Sequence, residues 1–309
     1  MKNIIYISGS GRSGSTLLER IINSSNDFFS LGELHCLWRL PFDAITCSCG
    51  TPFSDDNFWQ DILDRARITS REIAKLRRLE DEVCRTPFLA AMRYSLDAVR
   101  QDDRVRQFLA LQLRIFDAIS EATGASFLVD SSKAGPRAWL LACDPRVRIL
   151  HLYRDPGDVI ASWRSAKYDK GLNGDMQRLS VRRAAMDWGK VEYLIRKLEG
   201  QTRIAKIDYR QLCETPAKMV DTALNALLET GFTPFDWIDE HKFMPAPSYH
   251  SLNGNPDRFS SGPVHISART LDHSHLPPLD RIAIRTAHAT LATIYPSPAR
   301  RASLNSTPE

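Results

Sequence analysis

The densest chemistry in this sequence lies at residues 9–16, Gly-Ser-Gly-Arg-Ser-Gly-Ser-Thr. Gly9, Gly11 and Gly14 let the backbone turn tightly and approach a ligand closely. Ser13, Ser15 and Thr16 add hydroxyl donors. The apolar run Ile4-Ile-Tyr-Ile7 before the loop reads as a buried strand, and residues 14–24 after it as an amphipathic helix. A helix start points unpaired N–H groups at the same spot, so the loop is expected to cradle a phosphate and the protein to bind a nucleotide.

Two familiar templates fit this cradle badly. Residues 9–16 follow the phosphotransferase loop G-x-x-x-x-G-K-[ST] except at its lysine, which is Ser15 here. Without that cation a kinase loses its contact to the transferred phosphoryl group. Residues 9–14 also satisfy the dinucleotide pattern G-x-G-x-x-G, which wants an acidic residue about 20 positions on, at the end of a second strand. Glu33 has that spacing, but no strand of convincing length is expected before it.

A third template fits. Arg12-Ser-Gly-Ser-Thr-Leu-Leu18 resembles the 5′-phosphosulfate loop of sulfotransferases that use 3′-phosphoadenylyl sulfate (PAPS), in which a cation stands where Arg12 does. Val147-Arg-Ile-Leu-His-Leu-Tyr-Arg-Asp-Pro-Gly-Asp-Val-Ile-Ala-Ser-Trp-Arg164 reads as strand, turn and helix, with Asp155 a good N-cap and Pro156 well placed at the helix start. It resembles the 3′-phosphate element of the same family, an arginine at a strand end and a serine eight residues later, here Arg154 and Ser162. A guanidinium grips a phosphate bidentately, and the helical hydroxyl donates from the other side. The resemblance implies an α/β fold with a mainly parallel central sheet flanked by helices, like that of P-loop nucleoside triphosphatases. It also implies transfer of a sulfuryl group from PAPS to a hydroxyl or amine of a small acceptor such as a glycan, glycolipid or natural product, with no metal required. Arginine at position 12, where many cytosolic members carry lysine, points to the carbohydrate, tyrosylprotein and bacterial branches.

The same resemblance implies the remaining roles. Gly32-Glu33 matches the position of the catalytic glutamate in the tyrosylprotein branch, which makes Glu33 the expected base; His35 is the second candidate, because other members use a histidine. Lys133, in Val-Asp-Ser-Ser-Lys-Ala-Gly-Pro, resembles the lysine that supports the leaving group, a task shared with Arg12. Arg12, Ser13, Gly14, Ser15 and Thr16 would hold the 5′ side of the donor and Arg154 and Ser162 its 3′-phosphate. Tyr209 would lie near the adenine, and Arg258, in a Gly-Asn-Pro-x-Arg-Phe segment, would reach the 3′-phosphate from a closing loop. Two other readings stay open, a kinase-like phosphotransferase that would need Mg²⁺ and ATP, and a nucleotide-binding module without catalysis.

These residues need a scaffold. Apolar runs at 126–130, 147–153 and 202–207 predict three more buried strands, alternating with helices at 134–142, 156–167, 178–199 and 214–230. Residues 55–123 read as a helical insertion over one sheet face, expected to shape the acceptor pocket. The stretch 234–278 reads as irregular, 279–294 as a closing helix, and 296–309 as a disordered tail. Residues 1–295 are expected to form one domain.

Bulk properties agree. A formal charge of +4 suits a few anion sites and not a nucleic-acid groove. No apolar stretch is long enough to span a bilayer and no signal peptide precedes the first strand, so a cytoplasmic protein with no stable membrane insertion is expected. The six cysteines show no disulfide framework. Cys47-Ser-Cys49, with Cys36 nearby, has the form of half a zinc site, but no further ligand stands at a suitable spacing, so a loop of buried thiols is expected. His273-Ser-His275 reads as an incidental pair.

Overall fold

Each central strand carries apolar residues on both of its faces, as a parallel sheet covered by helices on both sides requires. The computed structural model describes residues 3–166, 168–169, 174–246, 249–268 and 277–294. The chain begins with β1 (Asn3–Ser8), α1 (Ser15–Ile22), β2 (Phe28–Gly32) and α2 (Cys36–Arg39). The helical region follows: α3 (Asn57–Arg65), α4 (Ser70–Val83), α5 (Thr86–Ala91), α6 (Leu96–Gln101) and α7 (Asp103–Thr123). Next come β3 (Phe127–Lys133), α8 (Gly135–Leu141), β4 (Val147–Tyr153), α9 (Pro156–Arg164), β5 (Tyr168–Asp169), β6 (Gly174–Asp175) and α10 (Val181–Leu198). The last part contains β7 (Ile204–Asp208), α11 (Tyr209–Glu214), α12 (Pro216–Leu227), β8 (Trp237–Asp239), β9 (Lys242–Phe243), β10 (Val264–His265) and α13 (Pro278–Ile294).

The central sheet has the order β2-β3-β1-β4-β7, and every pairing is parallel. Alternate residues face opposite layers. Ile4, Tyr6, Leu128 and Ile149 pack under the helical region with Trp38, Phe108 and Trp139. Ile5, Ile7, Val129, Leu152 and Ile207 pack against α1, α11 and α12 through Leu18, Leu212 and Leu224.

Four features depart from the sequence expectation. The first is β2, a five-residue edge strand just before Glu33, where no strand of convincing length is expected from the sequence. With it in place Glu33 does end a second strand, as the dinucleotide pattern asks. The strand order overturns that pattern nonetheless, because β3 stands between β2 and β1, whereas dinucleotide folds run 3-2-1-4-5-6. Second, the helical insertion at 55–123 is divided into separate helices, with breaks at Arg93 and Tyr94, both left-handed with φ of 53° and 50°, and at Asp102, whose carboxylate caps α7. Third, Pro216 starts a new helix, so the 214–230 segment is the end of α11 followed by α12. Fourth, the stretch from Pro234 contains a small antiparallel sheet, β10-β9-β8. His273, His275 and the tail 296–309 lie outside the described residues.

A buried ionic network joins the helical region to the sheet. Glu80 of α4, 3% exposed, accepts from Trp38 Nε1 at 2.9 Å and pairs with both Arg39 and Arg137. Arg137 is 1% exposed, with its guanidinium 5.1 Å from the Trp38 ring centre and 5.7 Å from that of Phe108. Removing one partner of such a pair leaves an uncompensated buried charge. Glu80→Ala is therefore expected to cost about 3–5 kcal/mol, read as a lower urea midpoint. An unchanged midpoint would refute this role.

Candidate active site

Parallel strands bring all their carboxyl ends to one edge, and ligands bind there where the strand order reverses. Here β1 ends in the glycine-rich loop, β2 in Glu33, β3 in Lys133, β4 in Arg154 and β7 in Tyr209. These ends line one cavity of about 920 Å³, within the range of roughly 300–1,000 Å³ usual for small-molecule sites. Arg12, Arg20, Lys133 and Arg154 line it against the carboxylates of Glu33 and Asp257, so its walls favour an anionic guest.

The loop after β1 is shaped for that guest. Gly14 has φ of 101°, and a Cβ there would lie 2.5 Å from the Tyr209 ring, so only glycine fits. Arg12 adopts φ of 69° despite its side chain, a strained conformation of the kind found at ligand sites. Helix α1 has no side-chain cap, and no acid stands in its first turn. Its N–H groups are thus left for an anion. The Ser13 hydroxyl is buried in the loop with no hydrogen-bond partner. A buried donor and an uncapped helix start fit a phosphate-type ligand at this loop.

Arg154 holds the loop from the other side. Its Nη1 donates to the Arg12 carbonyl at 3.2 Å, and its guanidinium lies 4.2 Å from the Tyr209 ring centre. Trp188 Nε1 donates to the Arg154 carbonyl at 3.1 Å. Asp155 caps α9 by accepting from Asp158 N, as its sequence position suggests, and α9 brings Ser162 to the cavity wall. Trp163, one residue on, donates from Nε1 to the Gly11 carbonyl at 3.1 Å and stacks 5.0 Å from the Arg12 guanidinium. Tyr209 thus lies against the loop glycine and Arg154.

A bulge aims Lys133. Ser8 pairs with Lys133 while Tyr6 pairs with Asp130, so β3 gains one residue between these pairs. Asp130 Oδ1 holds the bulge by accepting from Ser132 N at 2.9 Å and from its hydroxyl at 2.5 Å. Lys133 takes φ of 67° and forms an ion pair with Glu33. Burial works against charge on Glu33, but the neighbouring Lys133 ammonium, with help from Arg258, holds its carboxyl below the usual carboxylate range. Two nearby acids go the other way: burial pushes both Glu19 and Asp130 up to about 7. One environment thus favours the charged form of Glu33 while burial opposes charge on its neighbours, a separation typical of acid–base sites.

Not every expected residue reaches the cavity wall. Arg12, Gly14, Ser15, Thr16, Glu33, Lys133, Arg154, Ser162 and Tyr209 line it, whereas Ser13, His35 and Arg258 stand behind it. Burial and then Arg137 push the His35 imidazole down to about 3, and its Nδ1 is buried with no hydrogen-bond partner. Arg258 donates from Nη1 to the Gly254 carbonyl at 3.0 Å, under its own loop. Cys36 clusters with Glu33 and His35 and is not part of the group formed by Cys47 and Cys49.

Sequence reasoning missed Asn253, Trp163, Glu19 and Asp130. Asn253 Nδ2 donates to Glu33 Oε2 at 3.3 Å, so the segment after residue 249 supplies part of the site. Its position depends on a long-range pairing, in which Leu252 N donates to the Leu31 carbonyl at 2.8 Å and Glu33 N to the Leu252 carbonyl at 2.6 Å.

Comparison with known proteins adds to this picture. A family profile described as "Sulfotransferase family" matches residues 5–230. Among solved structures, the sulfotransferase domain from the Synechococcus PCC 7002 olefin synthase is 19% identical, with a TM-score of 0.38 over 73% of this chain and 74% of that one. Sulfotransferase STF9 from Mycobacterium avium is 14% identical, with a TM-score of 0.37 over 73% of this chain and 63% of the other. Sulfotransferase STF1 from Mycobacterium tuberculosis H37Rv is 12% identical, with a TM-score of 0.40 over 74% and 69%. None of the curated proteins compared with the chain matches it.

Proposed function

The chain belongs to the sulfotransferase family, and from that premise we propose that it moves a sulfuryl group from PAPS to a hydroxyl or amine of a small acceptor, with Glu33 as the base. The observation that carries this reading is the arrangement at one sheet edge. A glycine-rich anion loop, Arg154 and the Lys133–Glu33 pair surround one cavity. When bound, PAPS supplies an activated sulfuryl group on a phosphate leaving group. The N–H groups and hydroxyls of residues 12–16 bind its 5′ side, and Arg154 with Ser162 binds its 3′-phosphate. A sulfuryl group in transfer carries less charge than a phosphoryl group, so arginine, lysine and backbone donors suffice without Mg²⁺.

The ion pair gives the site a built-in order of events. While Lys133 pairs with Glu33, the carboxylate is a weak proton acceptor. Lys133 turning toward the leaving phosphate removes that charge from Glu33, and burial then raises the basicity of the carboxylate just as an acceptor needs it. Asn253 keeps the carboxylate oriented meanwhile.

Lys133→Ala is expected to lower turnover by at least about tenfold while changing affinity for the product nucleotide PAP much less. A pure affinity loss would make Lys133 a binding residue only. The function itself is tested by calorimetric titration with PAP in magnesium-free buffer, beside ATP and NADP. Binding of PAP supports the reading, and silence with PAP together with magnesium-dependent ATP binding would promote the kinase reading. PAP binding without turnover on any hydroxylated acceptor would leave a nucleotide-binding module.

A further inference from the structure

Cys47 and Cys49 find the partners that their spacing in sequence did not offer. Asp56, at the start of α3, and His250, about two hundred residues further on, face them. One ligand atom from each of these four residues lies within 4.8 Å of every other. Cys47 Sγ stands 3.5 Å from His250 Nδ1, Cys49 Sγ 3.4 Å from Asp56 Oδ2, and His250 Nδ1 3.0 Å from the same Asp56 oxygen. Zinc binds sulfur, imidazole nitrogen and carboxylate oxygen at about 2.0–2.3 Å in a tetrahedron, whose ligand atoms are then roughly 3.3–3.8 Å apart. The four atoms converge to nearly that spacing.

The supporting contacts already orient each ligand. The Cys47–Gly50 turn is tight: Gly50 N donates to the Cys47 carbonyl at 2.9 Å, Gly50 has φ of 90°, and Cys47 N donates to the Thr51 carbonyl at 3.0 Å. Asp56 divides its oxygens, with Oδ1 accepting from Phe58 N at 3.0 Å to cap α3 and Oδ2 facing the sulfurs and imidazole. The His250 ring stacks on Phe58 with centroids 4.3 Å apart and planes 13° apart. Such fixed outer contacts are what hold metal ligands in register.

We propose that Cys47, Cys49, Asp56 and His250 form a structural zinc site that clasps the 45–56 loop to the segment leading into Asn253. Binding would release the two thiol protons to solvent and leave both sulfurs as thiolates. All four positions would be filled by protein, so this metal closes a joint and takes no part in transfer. The clasp is continuous with the active site. Ser48 N donates to the Ser251 carbonyl at 3.1 Å, Ser251 N donates to the Ser48 hydroxyl at 2.9 Å, and Leu252 then joins β2 beside Glu33.

The test is elemental analysis of the full-length protein expressed with zinc and then desalted. About one zinc per chain is expected, lost in Cys47→Ser/Cys49→Ser and accompanied by a melting temperature several degrees lower. Should that double variant not fold, wild-type protein reloaded with cobalt(II) decides the matter. Intense visible bands of a tetrahedral thiolate complex are expected, and their absence would overturn the site. A wild-type protein free of zinc, or zinc retained undiminished by the double variant, would overturn it too. The metal count does not depend on PAPS, so it can fail or succeed independently of the proposed reaction.

Discussion

Replacing Arg154 by alanine is expected to weaken PAP binding by about 10²-fold or more. Two charge-assisted hydrogen bonds from one guanidinium to a phosphate contribute about 1.5–3 kcal/mol each. Arg154 also braces the site, because its Nη1 reaches the Arg12 carbonyl and its plane covers Tyr209. Truncation therefore loosens the loop as well as removing a ligand. Arg154→Lys separates these effects: it keeps the charge but loses the planar fork, so it should recover only part of the affinity. Calorimetry reads both variants, and an alanine variant with unchanged affinity would refute the assignment.

Glu33→Gln is expected to lower turnover by about 10²–10⁴-fold, with PAP affinity little changed. The amide keeps the shape of the side chain and its reach to Asn253 but accepts no proton. The pH profile gives an independent check. Burial opposes ionisation of Glu33 while Lys133 and Arg258 favour it, and the net effect lowers its pKa from 4.5. The carboxylate is already charged at neutral pH, so kcat/KM should stay level on mild acidification and fall only below the ordinary carboxylate range. His35 sits behind the wall with its Nδ1 enclosed. Its replacement by asparagine should cost far less turnover than Glu33→Gln, and the reverse order would make His35 the base.

What the sequence disclosed and what it hid follow from the range of the interactions involved. The loop after β1, Lys133 and Arg154 each follow a run of apolar residues that is buried on both faces, and such runs stand out in one dimension. β2 does not stand out, because Phe-Phe-Ser-Leu-Gly is short, lies at an edge and includes a polar residue. Its existence depends on pairing with β3, about a hundred residues away. Asn253 was hidden for the same reason, since only the contacts of Leu252 with Leu31 and Glu33 bring it to the site. The cysteine loop is the sharpest case. Three of its four proposed ligands lie close together in sequence, and His250, the fourth, is separated from Asp56 by 194 positions. Glu19 and Asp130 look in sequence like a helix acid and a strand-end acid, and only their complete enclosure pushes their carboxyls above the usual range.

The pairing of Leu252 with β2 has a consequence for how the protein behaves in solution at high concentration. β2 is an outer strand of the sheet, and a bare outer strand offers its open N–H and C=O groups to any other chain. Leu252 occupies part of that row from within the same molecule. The backbone that delivers an amide to Glu33 is therefore also a guard against edge-to-edge aggregation, and selection for a soluble protein and for an intact site would act on the same few residues.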